Sequence, residues 1–233
     1  MKKILVSDYD ETFYINDDDI ELNKKLVEKF RNNGNLFVIA TGRSYYDLNV
    51  KVKKYKLSYD YAIFDHGATI INNKNDVLLN VEIDNNIIFD LKNILLLEEC
   101  QSYFCCSKFE SRVDFDYGNL TKINVKYKSN KVANMVMEKI IENFSEYVNV
   151  YYVSDRKIEI ISSSTSKVDA INKLIKTINI DKKNVYTIGD GYSDILMVKE
   201  FNGYCMKESV PDIKEYAIEE VDSVSKLLEK IID

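Results

Sequence analysis

The chain predicts an α/β fold, a doubly wound parallel sheet into which an α+β layer is inserted. Three observations carry that prediction. Short apolar runs end abruptly in polar residues, as in ILVSD at 4–8 and LFVIATG at 36–42. Stretches of helical periodicity separate those runs at both ends of the chain. In the middle third, strand-like and helix-like stretches stop alternating. A strand buried on both faces of a parallel sheet needs a continuous apolar run, and strand–helix–strand alternation is how such strands are connected.

Along the chain, residues 2–8 read as the first buried strand. Ile20, Leu22, Leu26, Val27 and Phe30 then recur at helical spacing, with Asp17 to Asp19 as capping candidates and Gly34 just past the end. Residues 36–40 are a second buried strand closed by Thr41-Gly42-Arg43, 46–55 a helix, and 61–64 a third strand. Residues 68–71 and 77–79 around NNKND form a hairpin. The order then changes: a helix at 87–97, strands at 103–106, 112–115 and 123–127, a helix at 132–144, and strands at 148–153 and 157–161. The first pattern resumes with a helix at 167–178, a strand at 185–188 ending in Gly189-Asp190, a helix at 194–200, a strand at 204–206 and a helix at 224–231. The core is therefore expected to comprise 1–81 and 163–233, with 82–162 an inserted domain.

Bulk properties narrow the function. With 233 residues, 45% of them hydrophobic, the chain can bury a sizeable core. A net charge of -6 and no basic block argue against a nucleic-acid partner. The start, MKKILVSD, has too short an apolar run for a signal segment or a membrane span, so a cytoplasmic protein with no membrane partner is expected. The four cysteines include an adjacent pair, Cys105 and Cys106, but no C-x-x-C or Cys/His cluster, which disfavours zinc and a disulfide framework.

Four polar clusters fall at predicted strand ends or at the start of the helix after the insert: Asp8 with Asp10 and Thr12, Thr41, Lys167, and Asp190 with Asp194. Open α/β sheets bind ligands outside the carboxyl ends of their strands, so these residues can converge. Asp8 and Asp10 could serve merely as turn formers. They do not fit a helix-flanked calcium loop, because a strand precedes them and Phe13 stands where that loop needs glycine. Acids gathered in one crevice repel one another unless positive charge is supplied. Lys167 supplies one unit. An all-oxygen carboxylate site without histidine or thiolate suits Mg2+.

These motifs resemble the signatures of the haloacid dehalogenase superfamily: DYDET the first (D-x-D-x-T), FVIATGR the second, TSKVDAINKL the lysine signature and TIGDGYSDILM the fourth. FDHGATI and KIEIISSSTSKVDA further resemble the Cof-type phosphatase branch, whose type IIB cap would correspond to the insert. The resemblance implies a Rossmann-like core and a Mg2+-dependent phosphatase acting on small phosphorylated metabolites such as sugar phosphates. It implies Asp8 as the nucleophile that forms an aspartyl-phosphate and also binds the metal. Asp10 would bind the metal through its backbone carbonyl and act as acid and base through its carboxyl. Thr41 and Lys167 would hold the phosphoryl oxygens. Asp190 would complete the metal site, and Asp194 would reach it through water or brace Lys167. Thr12, Gly42 and Arg43 are expected against the substrate, with pairing to a core acid the alternative for Arg43, and His66, the sole histidine, in a loop hydrogen bond. The same site could act as a sugar phosphomutase, passing the phosphoryl group to another hydroxyl, or as a binding module without turnover. Glu11 stands where the family usually has glycine, and Ser193 where the Cof branch usually has asparagine.

Overall fold

The structure, a computed structural model, describes residues 2–232. Numbered along the chain, the strands are β1 (Ile4–Ser7), β2 (Leu36–Ala40), β3 (Tyr61–Phe64), β4 (Thr69–Asn72), β5 (Val77–Asn80), β6 (Cys100–Ser107), β7 (Glu110–Val113), β8 (Leu120–Tyr127), β9 (Val148–Ser154), β10 (Lys157–Ser162), β11 (Val185–Gly189), β12 (Asn202–Met206) and β13 (Glu219–Val221). The helices are α1 (Asp17–Asn32), α2 (Tyr45–Tyr55), α3 (Ile88–Ile94), α4 (Asn130–Phe144), α5 (Lys167–Thr177), α6 (Ile195–Glu200), α7 (Pro211–Lys214) and α8 (Val224–Ile231).

The larger sheet has the order β13-β12-β11-β1-β2-β3-β4-β5. It is parallel from β13 to β3, and β4 and β5 close it as an antiparallel edge. Both faces are covered, as continuous apolar strands require. Leu5, Phe37, Ile39 and Phe64 pack with Phe30 of α1 and Leu227 of α8 on one side. Ile4, Val6, Val38 and Ile63 pack with Ile171 and Leu174 of α5 on the other. Neighbouring strands run to opposite sides of β1, since β2 follows it in sequence and β11 returns from the far end of the chain. That reversal opens a crevice beyond the carboxyl end of β1.

The second sheet, β7-β6-β8-β10-β9, is antiparallel throughout and lies in the chain between β5 and α5. Ile123, Val125, Ile158 and Ile160 turn one face onto α3 and α4, meeting Leu91, Val136 and Ile140. The alternate residues Lys122, Asn124 and Glu159 turn the other face toward the crevice. The cap is thus a sheet dry on one side and polar on the side that faces the core.

Several local expectations are revised. The N-cap of α1 is Asn16, whose side chain accepts from the backbone N–H groups of Asp18 and Asp19, so the three aspartates occupy the first turn. The helix expected at 87–97 is shorter. It ends at Ile94, because Leu96 adopts a left-handed backbone (φ 47°) and a 3-10 turn follows at Leu97–Glu99. Residue 115 lies in a 3-10 turn beyond β7.

Candidate active site

Asp8 lies one residue beyond β1, its N–H donating to the Ile188 carbonyl on β11. Thr41 follows β2 and Asp190 follows β11, so three strand ends bring these groups to one rim. Lys167 arrives differently. It is the first residue of α5, capped by Ser166, whose hydroxyl accepts from the Asp169 N–H (3.3 Å) and donates to the Asp169 carboxylate (2.5 Å). Side chains at a helix start point back past the N-terminus, here into the crevice. Gly67 lets the core loop pass under that start: a Cβ there would lie 2.2 Å from the Ser166 carbonyl oxygen.

The Lys167 ammonium donates to Asp8 Oδ1 (2.6 Å) and Asp194 Oδ1 (2.7 Å), all three groups buried. Asp194 Oδ2 accepts from the N–H groups of Gly191 (3.1 Å) and Asp190 (3.3 Å), tying the turn after β11 to the lysine. Gly189 makes room, since a Cβ there would lie 2.5 Å from both Cβ and Cγ of Asp194. Thr12, expected against the substrate, is instead fully buried, with its hydroxyl donating to Asp190 Oδ1 (2.5 Å). The turn Glu11–Phe13 points that hydroxyl sideways at the neighbouring strand end rather than into the cleft.

Asp10 turns away from the other acids. Its carboxylate accepts two hydrogen bonds from the Arg43 guanidinium (2.7 and 2.8 Å), a planar fork-to-fork pair. Thr41 Oγ1 accepts from the Arg43 N–H (3.0 Å), and the Gly42 carbonyl accepts from Lys122 Nζ of the cap. Asp8, Asp10, Thr41, Gly42, Arg43, Lys167, Asp190 and Asp194 all line one cleft of 640 Å3 between core and cap.

Electrostatics single out the acids. Burial, with Asp194 and Asp190 nearby, holds the Asp8 carboxyl well above its ordinary value, although Lys167 pulls the other way. Burial and Asp194 push Asp190 up to about 6. Burial alone would lower the Lys167 ammonium, but Asp194 and Asp8 outweigh it and the net shift is upward. One ammonium thus stands against three carboxylates. Carboxylate oxygens of Asp8, Asp190 and Asp194 lie within 4.8 Å of one another. That donor set, all oxygen and short of positive charge, fits a hard divalent cation.

The cap side of the cleft carries charged residues that no sequence motif marks. Lys122 and Glu159, with Asp65 and His66 of the core, form a buried network. Lys122 Nζ lies 3.1 Å from Asp65 Oδ1 and 3.4 Å from Glu159 Oε2, and His66 Nε2 lies 2.7 Å from the same Glu159 oxygen. His66 therefore has the loop hydrogen bond expected of it, to a carboxylate of the other domain, and its ring stacks on Tyr151. A signal was present in TKINVKY at 121–127, where polar residues at every second position interrupt an otherwise apolar strand.

A family model described as haloacid dehalogenase-like hydrolase matches residues 5–111 and 106–226. A Buchnera aphidicola protein named "Putative phosphatase" is 24% identical over 99% of this chain and 98% of its own length. Among solved structures, a haloacid dehalogenase-like hydrolase from Bacteroides thetaiotaomicron aligns with a TM-score of 0.83 at 17% identity, covering 99% of this chain and 100% of that one. A sugar phosphatase of subclass IIB aligns with a TM-score of 0.81 at 16% identity, covering 100% of both chains.

Proposed function

The chain belongs to the family of haloacid dehalogenase-like hydrolases, and on that premise we propose that it is a magnesium-dependent phosphatase of small phosphorylated metabolites, sugar phosphates or similar. The observation that carries the reading is the meeting of Asp8, Asp190, Asp194 and Lys167 at the end of β1. Asp8, Asp190 and the backbone carbonyl of Asp10 would hold Mg2+, with Asp194 reaching it through water. Bound there, the ion would neutralise the acids and the phosphate oxygens.

The chain's own residues then have separate tasks. A carboxylate oxygen of Asp8 bonds to phosphorus as the ester P–O bond breaks, and Asp10 gives its proton to the departing alcohol oxygen. Asp10 next takes a proton from water, whose oxygen bonds to phosphorus as the bond to Asp8 breaks, giving inorganic phosphate and restoring both acids. Lys167 and the Thr41 hydroxyl hold phosphoryl oxygens through the transfer, the positioning and charge stabilisation that dominate this chemistry. Gly42 and Arg43 line the cleft and would contact the substrate there. A substrate that engages the Arg43 guanidinium frees the Asp10 carboxyl for proton transfer. The cap screens the site from bulk water.

Purified protein should release phosphate from a generic aryl phosphate with Mg2+ and lose that release on chelation. Asp8→Asn should lower the rate by at least about a thousandfold, to the assay floor. Undiminished turnover by this variant rejects the assignment.

A further inference from the structure

The loop that carries Thr41 into the cleft is held at three successive backbone carbonyls. The Thr41 carbonyl accepts from the His66 N–H and the Arg43 carbonyl from the Asp65 N–H (both 3.1 Å), and the Gly42 carbonyl accepts from Lys122 Nζ of the cap. The His66 ring packs so closely on Gly42 that a Cβ there would lie 2.5 Å from its Cε1. The segment that provides two of the three holds is itself strained. Asp65 (φ 48°), His66 (φ 55°) and Gly67 (φ 118°) are left-handed in succession, and the first two are buried residues with a Cβ. Such a run persists only where its surroundings impose it. Here the cap does so. Thr121 Oγ1 donates to Asp65 Oδ2 (2.8 Å), Lys122 Nζ lies 3.1 Å from Asp65 Oδ1, and Glu159 Oε2 lies 2.7 Å from His66 Nε2.

We infer that Lys122 and Thr121 are positioning residues for phosphoryl transfer. They act through Asp65 and the Gly42 carbonyl to fix the loop 41–43, so that the seated cap completes the phosphoryl-binding loop of the core. The inference rests on the phosphatase reading, in which Thr41 holds a phosphoryl oxygen and Arg43 is paired with Asp10, and it adds two residues that touch neither substrate nor metal. Lys122 lines the cleft but is 2% exposed, and its three N–H groups face three acceptors, the Gly42 carbonyl, Asp65 and Glu159 (3.4 Å). No donor is left for a ligand. Thr121 is fully buried, with its hydroxyl committed to Asp65.

The test compares Thr121→Val, which deletes a hydroxyl at nearly constant volume, and Lys122→Met with the wild-type protein in Mg2+, at a temperature where circular dichroism shows all three folded. The substrates are para-nitrophenyl phosphate and acetyl phosphate, whose small leaving group offers the cap little to touch. Because a loop displaced by less than about 1 Å misaligns the phosphoryl group itself, kcat should fall at least about threefold in Thr121→Val and about tenfold in Lys122→Met, by the same factor on both substrates. Amide hydrogen exchange of the ligand-free proteins supplies the second readout. Thr41 and Arg43 should exchange at least about tenfold faster in the variants, a larger acceleration than the amides of β1 show. Wild-type kcat in the folded variants, a loss confined to the larger substrate, or an acceleration at Thr41 and Arg43 no greater than that of β1 overturns the inference. Should Lys122→Met not fold, Thr121→Val decides by the same criteria. Exchange also separates this outcome from failure of the phosphatase reading. If the wild type releases no phosphate, selective acceleration at Thr41 and Arg43 upholds the hold of the cap on the loop, and its absence rejects it.

Discussion

Two buried acids, Asp8 and Asp194, and the half-buried Asp190 share one ammonium at the carboxyl end of β1, and that imbalance governs what single substitutions do there. Lys167→Met removes the one charged partner, among the described residues, bonded to both Asp8 and Asp194. Leaving buried acids uncompensated should cost about 3–5 kcal/mol at neutral pH, read as a lower urea midpoint. A loss below about 1 kcal/mol would mean that the acids are paired by something else. Glu11 behaves in the opposite sense. It is exposed and holds a left-handed backbone (φ 56°) that costs a side chain with a Cβ about 1–2 kcal/mol, and glycine adopts it freely at some expense in chain entropy. Glu11→Gly should therefore stabilise the protein by about 0.5–1 kcal/mol, raising the melting temperature by a few degrees. A destabilised variant would show that the Glu11 side chain has a partner worth more than the strain.

Whole elements matter because they aim these residues, and α5 is the clearest case. Its first residue is Lys167, so the Ser166 cap fixes both the helix end and the direction of the ammonium. Ser166→Ala should destabilise the fold by about 1 kcal/mol, the ordinary worth of such a cap, and lower the rate of phosphate release by loosening Lys167. Normal activity alongside the stability loss would separate capping from aiming. The elements of the parallel sheet were legible in the sequence because burial on both faces forces unbroken apolar runs, as in Ile4–Ser7 and Leu36–Ala40. Edges were not. β13 is the three residues Glu219–Val221 with both glutamates exposed, and α7 is a single turn from Pro211, too short for either periodicity to register. In the cleft, strand-end acids and Lys167 could be read as one set because topology brings such ends together. The partnering of Thr12 with Asp190 and of Arg43 with Asp10 depends on side-chain direction, which spacing does not encode.

Over the whole molecule, cap and core are held together by buried charge, and its pH response has a definite sign. Burial alone would raise the Glu159 carboxyl, but Lys122, His66 and Lys157 outweigh it and hold the group well below the ordinary glutamate range. A carboxyl whose pKa is lower folded than unfolded binds fewer protons in the folded state. Its stabilisation is complete above about pH 4.5 and is lost as pH falls through the lower, folded value. Asp65 on the core side runs the other way: burial raises it against Lys122, so it takes up its proton earlier in the folded protein and favours folding as pH drops. Glu159 should therefore account for the acid loss across this interface. At pH 7, Glu159→Gln leaves Lys122 with Asp65 and the Gly42 carbonyl alone, a broken buried pair worth about 3 kcal/mol. The gap between wild type and variant, measured as urea midpoints at pH 7, 5, 4 and 3, should be widest at pH 7 and 5 and narrow toward pH 3, as the wild-type carboxylate takes up its proton. A gap of constant width down to pH 3 would place the origin of acid sensitivity elsewhere, and Glu159 would then contribute to the interface through shape rather than charge.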